Sequence, residues 1–245
     1  MKEGKMLKRY FSYLYQKTST NSTEYLHSLL EKNSKALLLD CGCWDGVNTK
    51  KFGDIVGTKK LYGIELSQNK SREAAKRGIK AKISDLNKRF EYPSNYFDVV
   101  IAYHVIEHLV NVRLFVSEIH RVLKKEGYVL IGTPNLASWH NVFALLLGLQ
   151  PFSGPTIKPD YESDLKLIKS INKERMKKVF SEESETLDHV KVMTAKALLG
   201  LLRNFNFRIE KTRGFGYYPL PPLPANGLAR IDPYHSHYIV VKARK

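Results

Sequence analysis

The chain has 245 residues, 43% of them hydrophobic, and a formal net charge of +16. That length and apolar content suffice for one substantial core and exclude a disordered chain or a small disulfide-stapled module. No run approaches the roughly 20 apolar residues of a membrane span, and the N-terminus lacks the apolar core of a secretory leader, so a cytoplasmic protein is expected.

Lysine and arginine are spread along the whole chain, with local density at 2–17, 166–178 and 203–213. A balance this basic suits an acidic partner, whether nucleic acid, an anionic membrane surface touched peripherally or a phosphorylated substrate, and equally suits a solvated lysine-rich surface. Oligomeric state is not readable from it. The two cysteines, Cys41 and Cys43, stand one residue apart. That spacing fits neither a disulfide nor a CxxC metal site, so they read as reduced packing residues.

In chain order, residues 1–35 carry Tyr10, Phe11, Tyr13 and Leu14, then Tyr25, Leu26, Leu29 and Leu30. Their spacing of three to four predicts two short helices, a helical cap that packs on the domain, covers a site or lies on lipid. At 36–46 the run Ala-Leu-Leu-Leu-Asp-Cys-Gly-Cys-Trp-Asp-Gly predicts a buried parallel strand, a sharp turn and a helix opening at Val47. Backbone N–H groups at such a helix start point outward, and glycine allows a ligand close to the chain. The spacing Gly42-x-x-x-Gly46 departs from the G-x-G-x-x-G of dinucleotide sites. Flanking Asp40 and Asp45 would repel a pyrophosphate and suit a cationic or zwitterionic ligand; S-adenosyl-L-methionine carries an ammonium group and a sulfonium centre.

This stretch resembles the first motif of class I S-adenosylmethionine-dependent methyltransferases, hydrophobic-Asp-x-Gly-x-Gly-x-Gly, with Trp44 in place of the middle glycine. Tryptophan tolerates a positive φ poorly, so the local backbone shape is open. Leu61–Glu65 predicts the second strand, and Glu65, about 20 residues after the glycine turn, stands where a carboxylate accepts from both ribose hydroxyls. Gln68 to Arg77 predicts a helix capped by Gly78, Ile79 to Ile83 a third strand, and Phe97 to Ala102 a central fourth strand. Val112 to Lys125 has a helical apolar face, and Tyr128 to Gly132 a fifth strand.

The stretches FDVVIAYHVIEHL and EIHRVLKKEGYVLIGTPN resemble the small-molecule branch of those methyltransferases, the ubiquinone-biosynthesis-like type 11 enzymes. The resemblance covers 36–135. It implies a Rossmann-like three-layer α/β sandwich, a seven-stranded, mostly parallel sheet with an antiparallel last strand, plus the helical cap. It also implies cofactor contacts from Asp40, Gly42, Cys43, Asp45, Gly46, Glu65, Leu66, Asp85, Leu86 and Tyr103, the Asp85–Leu86 pair being placed for adenine. Tyr103 and His104 follow strand four, at the carboxyl edge where open parallel sheets bind ligands. His104 is the candidate catalytic base for a hydroxyl acceptor, with His108 and His140 behind it.

His104, Glu107 and His108 also spell H-x-x-E-H, which on one helix would present two imidazoles and a carboxylate to zinc. A helix through His104 is not expected directly after a strand, so no metal is assigned. Residues 136–192 predict a substrate cap. It contains an apolar helix over 136–149, fit to line a lipid pocket, dip into a membrane interface or join a dimer, then turns over 151–160 and a basic amphipathic helix over 164–180. Residues 193–245 complete the sheet. They supply a helix from Thr194 to Phe205, strands at Phe207–Lys211 and Tyr238–Lys242, and between the strands an aromatic, proline-rich loop whose Tyr217, Tyr218 and His235 are candidate pocket walls.

The expected activity is methyl transfer from S-adenosylmethionine to a small-molecule, lipid-linked or glycan acceptor, foremost at oxygen. The alternatives are an RNA or tRNA methyltransferase, a zinc hydrolase and a non-catalytic cofactor-binding module.

Overall fold

The computed structural model describes residues 2–154 and 189–245. Its strands are β1 (Leu38–Cys41), β2 (Leu61–Glu65), β3 (Lys80–Ile83), β4 (Phe97–Tyr103), β5 (Leu123–Pro134), β6 (Arg208–Phe215) and β7 (Tyr238–Arg244). They form one sheet in the order β3-β2-β1-β4-β5-β7-β6, in which β7 runs antiparallel to both neighbours. Among the described residues the helices are α1 (Lys2–Ser28), α2 (Val47–Val56), α3 (Gln68–Lys76), α4 (Val112–Val122), α5 (Trp139–Leu146), α6 (Ala195–Asn204) and α7 (Pro222–Ile231). None of the described helices is long and apolar enough to cross a membrane. The expected seven-stranded α/β sandwich is therefore present.

Every residue of β1 and β2 is buried because helices cover both faces of the sheet. The strand period of two divides the core cleanly. Leu38, Val99, Ile101, Leu130 and Val240 face α1, α2 and α3, whereas Leu39, Cys41, Val100, Val129, Ile131 and Val241 face α4 and α6. On α4, Val112, Phe115, Val116, Ile119 and Val122 all point into that second core. Caps fix the ends of these helices: the Asn111 side chain accepts from Leu114 N–H and the Thr194 hydroxyl from Ala197 N–H.

The N-terminal segment is one 27-residue helix rather than two short ones. The polar stretch in its middle does not break it, because the Ser22 and Thr23 hydroxyls donate back to the Ser19 carbonyl. Thr18 and Ser22 are themselves buried. The helix following strand four stops at Val122 rather than 125. Leu123 already pairs with Phe97, and Glu126 takes φ 64° in the bend that follows.

The apolar helix expected over 136–149 is confined to Trp139–Leu146, since Asn135 and Ser138 are committed to a buried turn before it. β6 and β7 run on to Phe215 and Arg244 because they pair with each other along their full length. The proline-rich stretch expected as a loop contains α7. Its prolines fall in the first turn, where the backbone N–H groups have no helical partner to lose. The predicted turns beyond Gly154 and the basic helix at 164–180 lie outside the described residues.

The α1 helix is built into the domain: Leu14 and Leu26 are fully buried, the latter in the core shared with β1 and β4. Beyond its end, Glu31 pairs with Lys242 and Arg244 on β7, and Lys242 also donates to the Leu29 carbonyl. Leu26→Ala should lower the free energy of unfolding by about 2–5 kcal/mol in a single urea transition. An unchanged midpoint would mean that α1 does not share the core.

Candidate active site

At the β1–α2 junction the chain takes the left-handed conformation three times, at Gly42 (φ 75°), Trp44 (φ 49°) and Gly46 (φ 83°). The two glycines are required twice over. A Cβ on Gly42 would come within 2.7 Å of Val105, and one on Gly46 would collide with Ile79. Trp44 accepts a conformation unfavourable to an L residue. It is held there by Glu65, whose Oε2 accepts from Trp44 N–H at 2.9 Å while Oε1 accepts from Ser67 N–H at 2.9 Å. The Trp44 ring lies open at the surface beneath the Lys70 ammonium, 5.1 Å from its centroid.

The acidic pair at this turn is Asp40 with Glu65, not Asp40 with Asp45. Asp45 accepts from Val47 N–H and pairs with Arg77 at 3.6 Å, which turns it toward α3. Asp40 is buried and accepts from the Thr49 hydroxyl at 2.5 Å. Burial, reinforced by the charge on Glu65 and opposed by the Thr49 hydrogen bond, raises its pKa to about 7.

Cys43 packs its thiol over Gly63 in the core, so only its backbone is available at the turn. Leu66 is exposed at the end of β2, whereas Leu86 is buried in the core. The Asp85 carboxylate accepts from Asn87 N–H and Nδ2, and Asn87 Oδ1 in turn accepts from Val110 and Asn111 N–H. The topology gathers these segments and Tyr103–His104 at the carboxyl edge of the sheet, beside the β1–β4 boundary where strand order reverses.

His104 leaves β4 with φ 55°, its N–H bonded to the Gly132 carbonyl at 2.8 Å. Its Nδ1 lies 3.2 Å from Glu107 Oε1, and the Thr133 hydroxyl donates to Glu107 Oε2 at 2.9 Å. Burial raises the Glu107 carboxyl, but the hydrogen bond and charge of His104 outweigh it and hold the pKa below the ordinary value. A carboxylate fixed on Nδ1–H sets the tautomer that leaves Nε2 as a proton acceptor.

The zincin reading fails on geometry, since His104 lies outside the short 3-10 turn Ile106–His108 and cannot share a helical face with His108. Glu107, His108 and His189 do bring one donor atom each to within 4.8 Å of one another. In that group Glu107 is already engaged by His104 and Thr133.

Tyr103 packs over Gly132, and its hydroxyl meets Ser22 and Thr23 of α1 at 2.8 and 2.9 Å, which ties α1 to the site. Tyr217 and His235 are spent on the chain itself: the Tyr217 hydroxyl donates to the Asp232 carbonyl, and His235 pairs with Asp232 and stacks on Trp139. Tyr218 instead faces His140 and His237. The orienting role of Glu107 is signalled in sequence only by its i+3 spacing from His104. Thr133 and His237 carry no local signal.

This fold and this edge define the methyltransferase class. Residues 10–212 match the family model described as a methyltransferase domain, and the chain belongs to that family. It is 28% identical over 141 residues to the mitochondrial ubiquinone biosynthesis O-methyltransferase of Rattus norvegicus, covering 55% of this chain and 39% of that one. It is 29% identical over 120 residues to the ubiquinone biosynthesis O-methyltransferase of Pelagibacter ubique, covering 47% and 48%. The aligned part thus spans less than half the length of the curated relatives. Among solved structures, an S-adenosylmethionine-dependent methyltransferase from Mesorhizobium loti superposes with a TM-score of 0.60 at 16% identity, over 91% of this chain and 96% of that one.

Because Asp40 holds its proton more tightly folded than unfolded, its contribution to stability falls as pH rises from about 4 to about 7 and is level above that. Asp40→Asn should remove that fall. Thermal unfolding midpoints of variant and wild type, compared from pH 5 to 8, should diverge in favour of the variant. Parallel curves would refute the raised pKa.

Proposed function

We propose that this protein transfers a methyl group from S-adenosyl-L-methionine to an oxygen of a small-molecule acceptor, with His104 as the base. The observation that carries the reading is the buried Glu107 carboxylate on His104 Nδ1, which prepares the imidazole to take a proton through Nε2. Proton removal is what a hydroxyl acceptor needs as it becomes a nucleophile.

The residues of the turn fit the cofactor by their chemistry. Glu65 retains lone pairs beyond the two backbone donors it already accepts, enough for vicinal ribose hydroxyls. Asp40 is a buried acid able to ionise opposite a cation, and Gly42 leaves no side chain between backbone and ligand. When bound, S-adenosylmethionine supplies an electrophilic methyl on a sulfonium centre. Asp85 and Leu86 hold the adenine on this reading, and Tyr103 holds α1 over the site.

The names of the ubiquinone O-methyltransferase relatives support an oxygen acceptor. Exposed Phe143, Leu146, Leu147 and Phe152 on and beyond α5, in a segment without a charged residue from 135 to 154, favour a lipid-linked acceptor over a glycan. The net charge of +16 suits peripheral contact with an anionic membrane from which such an acceptor would come.

Labelled-methyl transfer against lipid, polysaccharide and RNA fractions should place label in the lipid fraction. Label confined to RNA would replace this reading. His104→Ala should lower turnover by about 10²–10⁴-fold with cofactor affinity intact, and full activity would remove its role. Glu65→Ala should weaken cofactor binding measured by calorimetry. Occupation of the turn by the sulfonium should draw the Asp40 proton off near neutral pH, so binding should release protons there, seen as a buffer-dependent enthalpy. Asp40→Asn should abolish that dependence.

A further inference from the structure

His237 lies immediately before β7, on the same edge of the sheet as His104, because β7 runs antiparallel and sets Tyr238 opposite Pro134 at the end of β5. Its backbone is fixed on both sides: its N–H donates to the Gly216 carbonyl at 2.8 Å, and its carbonyl accepts from Asn135 N–H at 2.9 Å. The imidazole is buried at 9% exposure, with Nδ1 3.2 Å from His140 Nε2. Its other nitrogen, Nε2, is buried with no hydrogen-bond partner.

The Tyr218 hydroxyl is in the same condition: Thr18 approaches it without completing a hydrogen bond. The two rings are 4.9 Å apart. Tyr238 lies 4.2 Å from His237, and His104 lies 4.8 Å from Tyr238. His140 lies 5.3 Å from Tyr218 and Tyr15 6.2 Å from His237, so a run of contacting rings leads from Tyr218 to the proposed base.

A buried polar atom without a partner is costly, and native structures hold few of them. Two in contacting side chains mark a place where something other than the protein supplies the partner. Burial pushes His140 down to about 4 and His237 down as well, so both imidazoles are neutral near pH 7. Walls of neutral rings give an ionic guest no countercharge. They suit stacking on a flat neutral guest, and an oxygen on that guest can both donate and accept.

We propose that Tyr218 and His237 form the acceptor-recognition subsite, taking a neutral planar ring that bears an oxygen and setting it beside His104. The identification of the ring as methyl acceptor rests on the methyltransferase reading; the subsite itself does not.

The test is NMR titration of the full chain with phenol, cyclohexanol, benzene and tetramethylammonium, with S-adenosylhomocysteine binding measured separately by calorimetry. Phenol should bind at least about tenfold more tightly than the other three. Tyr218→Phe deletes one oxygen and keeps the ring; it should weaken phenol about tenfold. The same change should leave S-adenosylhomocysteine affinity unchanged and the melting temperature unchanged or raised, since an unpaired buried hydroxyl has gone. His237→Phe should weaken phenol similarly, and should it fail to fold, Tyr218→Phe decides alone.

A merely structural hydroxyl would lower the melting temperature and leave phenol affinity alone, which would overturn the proposal. Equal binding of phenol and cyclohexanol, or preference for tetramethylammonium, would overturn it too. Phenol binding without S-adenosylhomocysteine binding would sustain the subsite and remove the methyl-transfer reading. The converse would remove the subsite alone.

Discussion

The buried carboxylate of Glu107 is the point through which the candidate active site is assembled. An ionised group out of water is costly unless its oxygens are paired. Here His104 Nδ1 and the Thr133 hydroxyl do the pairing, joining the segment after β4 to the end of β5. The backbone carbonyl of the same residue accepts from Val190 and Lys191 N–H, which fixes the chain where it returns toward α6. One residue therefore sets the tautomer of the proposed base and anchors three segments distant in sequence. It also explains why His104 adopts φ 55°: the strand must turn sharply there if the ring is to reach back to a carboxylate three residues on.

A second carboxylate, Glu65, serves the neighbouring turn in the same manner. By accepting from Trp44 and Ser67 N–H it holds β2 against the β1–α2 junction and stabilises a left-handed tryptophan that would otherwise be strained. The departure from a glycine-rich motif is thus absorbed by a side chain from the next strand. The two acids sit on either side of the β1–β4 boundary, and the space between the proposed methyl donor and its acceptor falls where strand order reverses.

The region built by α1, β7 and Tyr218 is of a different kind, made of neutral rings with few charges. Its burial and the absence of countercharge push the histidines toward neutrality, whereas His104 keeps a carboxylate partner. Histidines near one another thereby meet different surroundings, a carboxylate at His104 and apolar burial at His140 and His237.

Much of this was legible in the chain itself. Strand periodicity, the glycine spacing at 42 and 46, the acid at 65 and the face of α4 are local signals, and local signals survive because each element has to bury its own apolar side. The sequence also carried the motif that marks a methyltransferase, and pointed to His104 at the end of β4. What it left open was decided by partners far along the chain. Whether Asp45 or Glu65 joins Asp40 depended on Arg77. The continuity of α1 depended on hydroxyls that its own carbonyls accept, and α7 on prolines that happen to fall in a first turn. Glu107 as orienting group came from the parallel pairing of β4 with β5, which brings Thr133 to it beside His104, and the encounter of His237 with Tyr218, His140 and Tyr15 came from the antiparallel docking of β7. No spacing along one strand can encode that, since the sheet and α1 bring together residues as far apart in the chain as Tyr15 and His237.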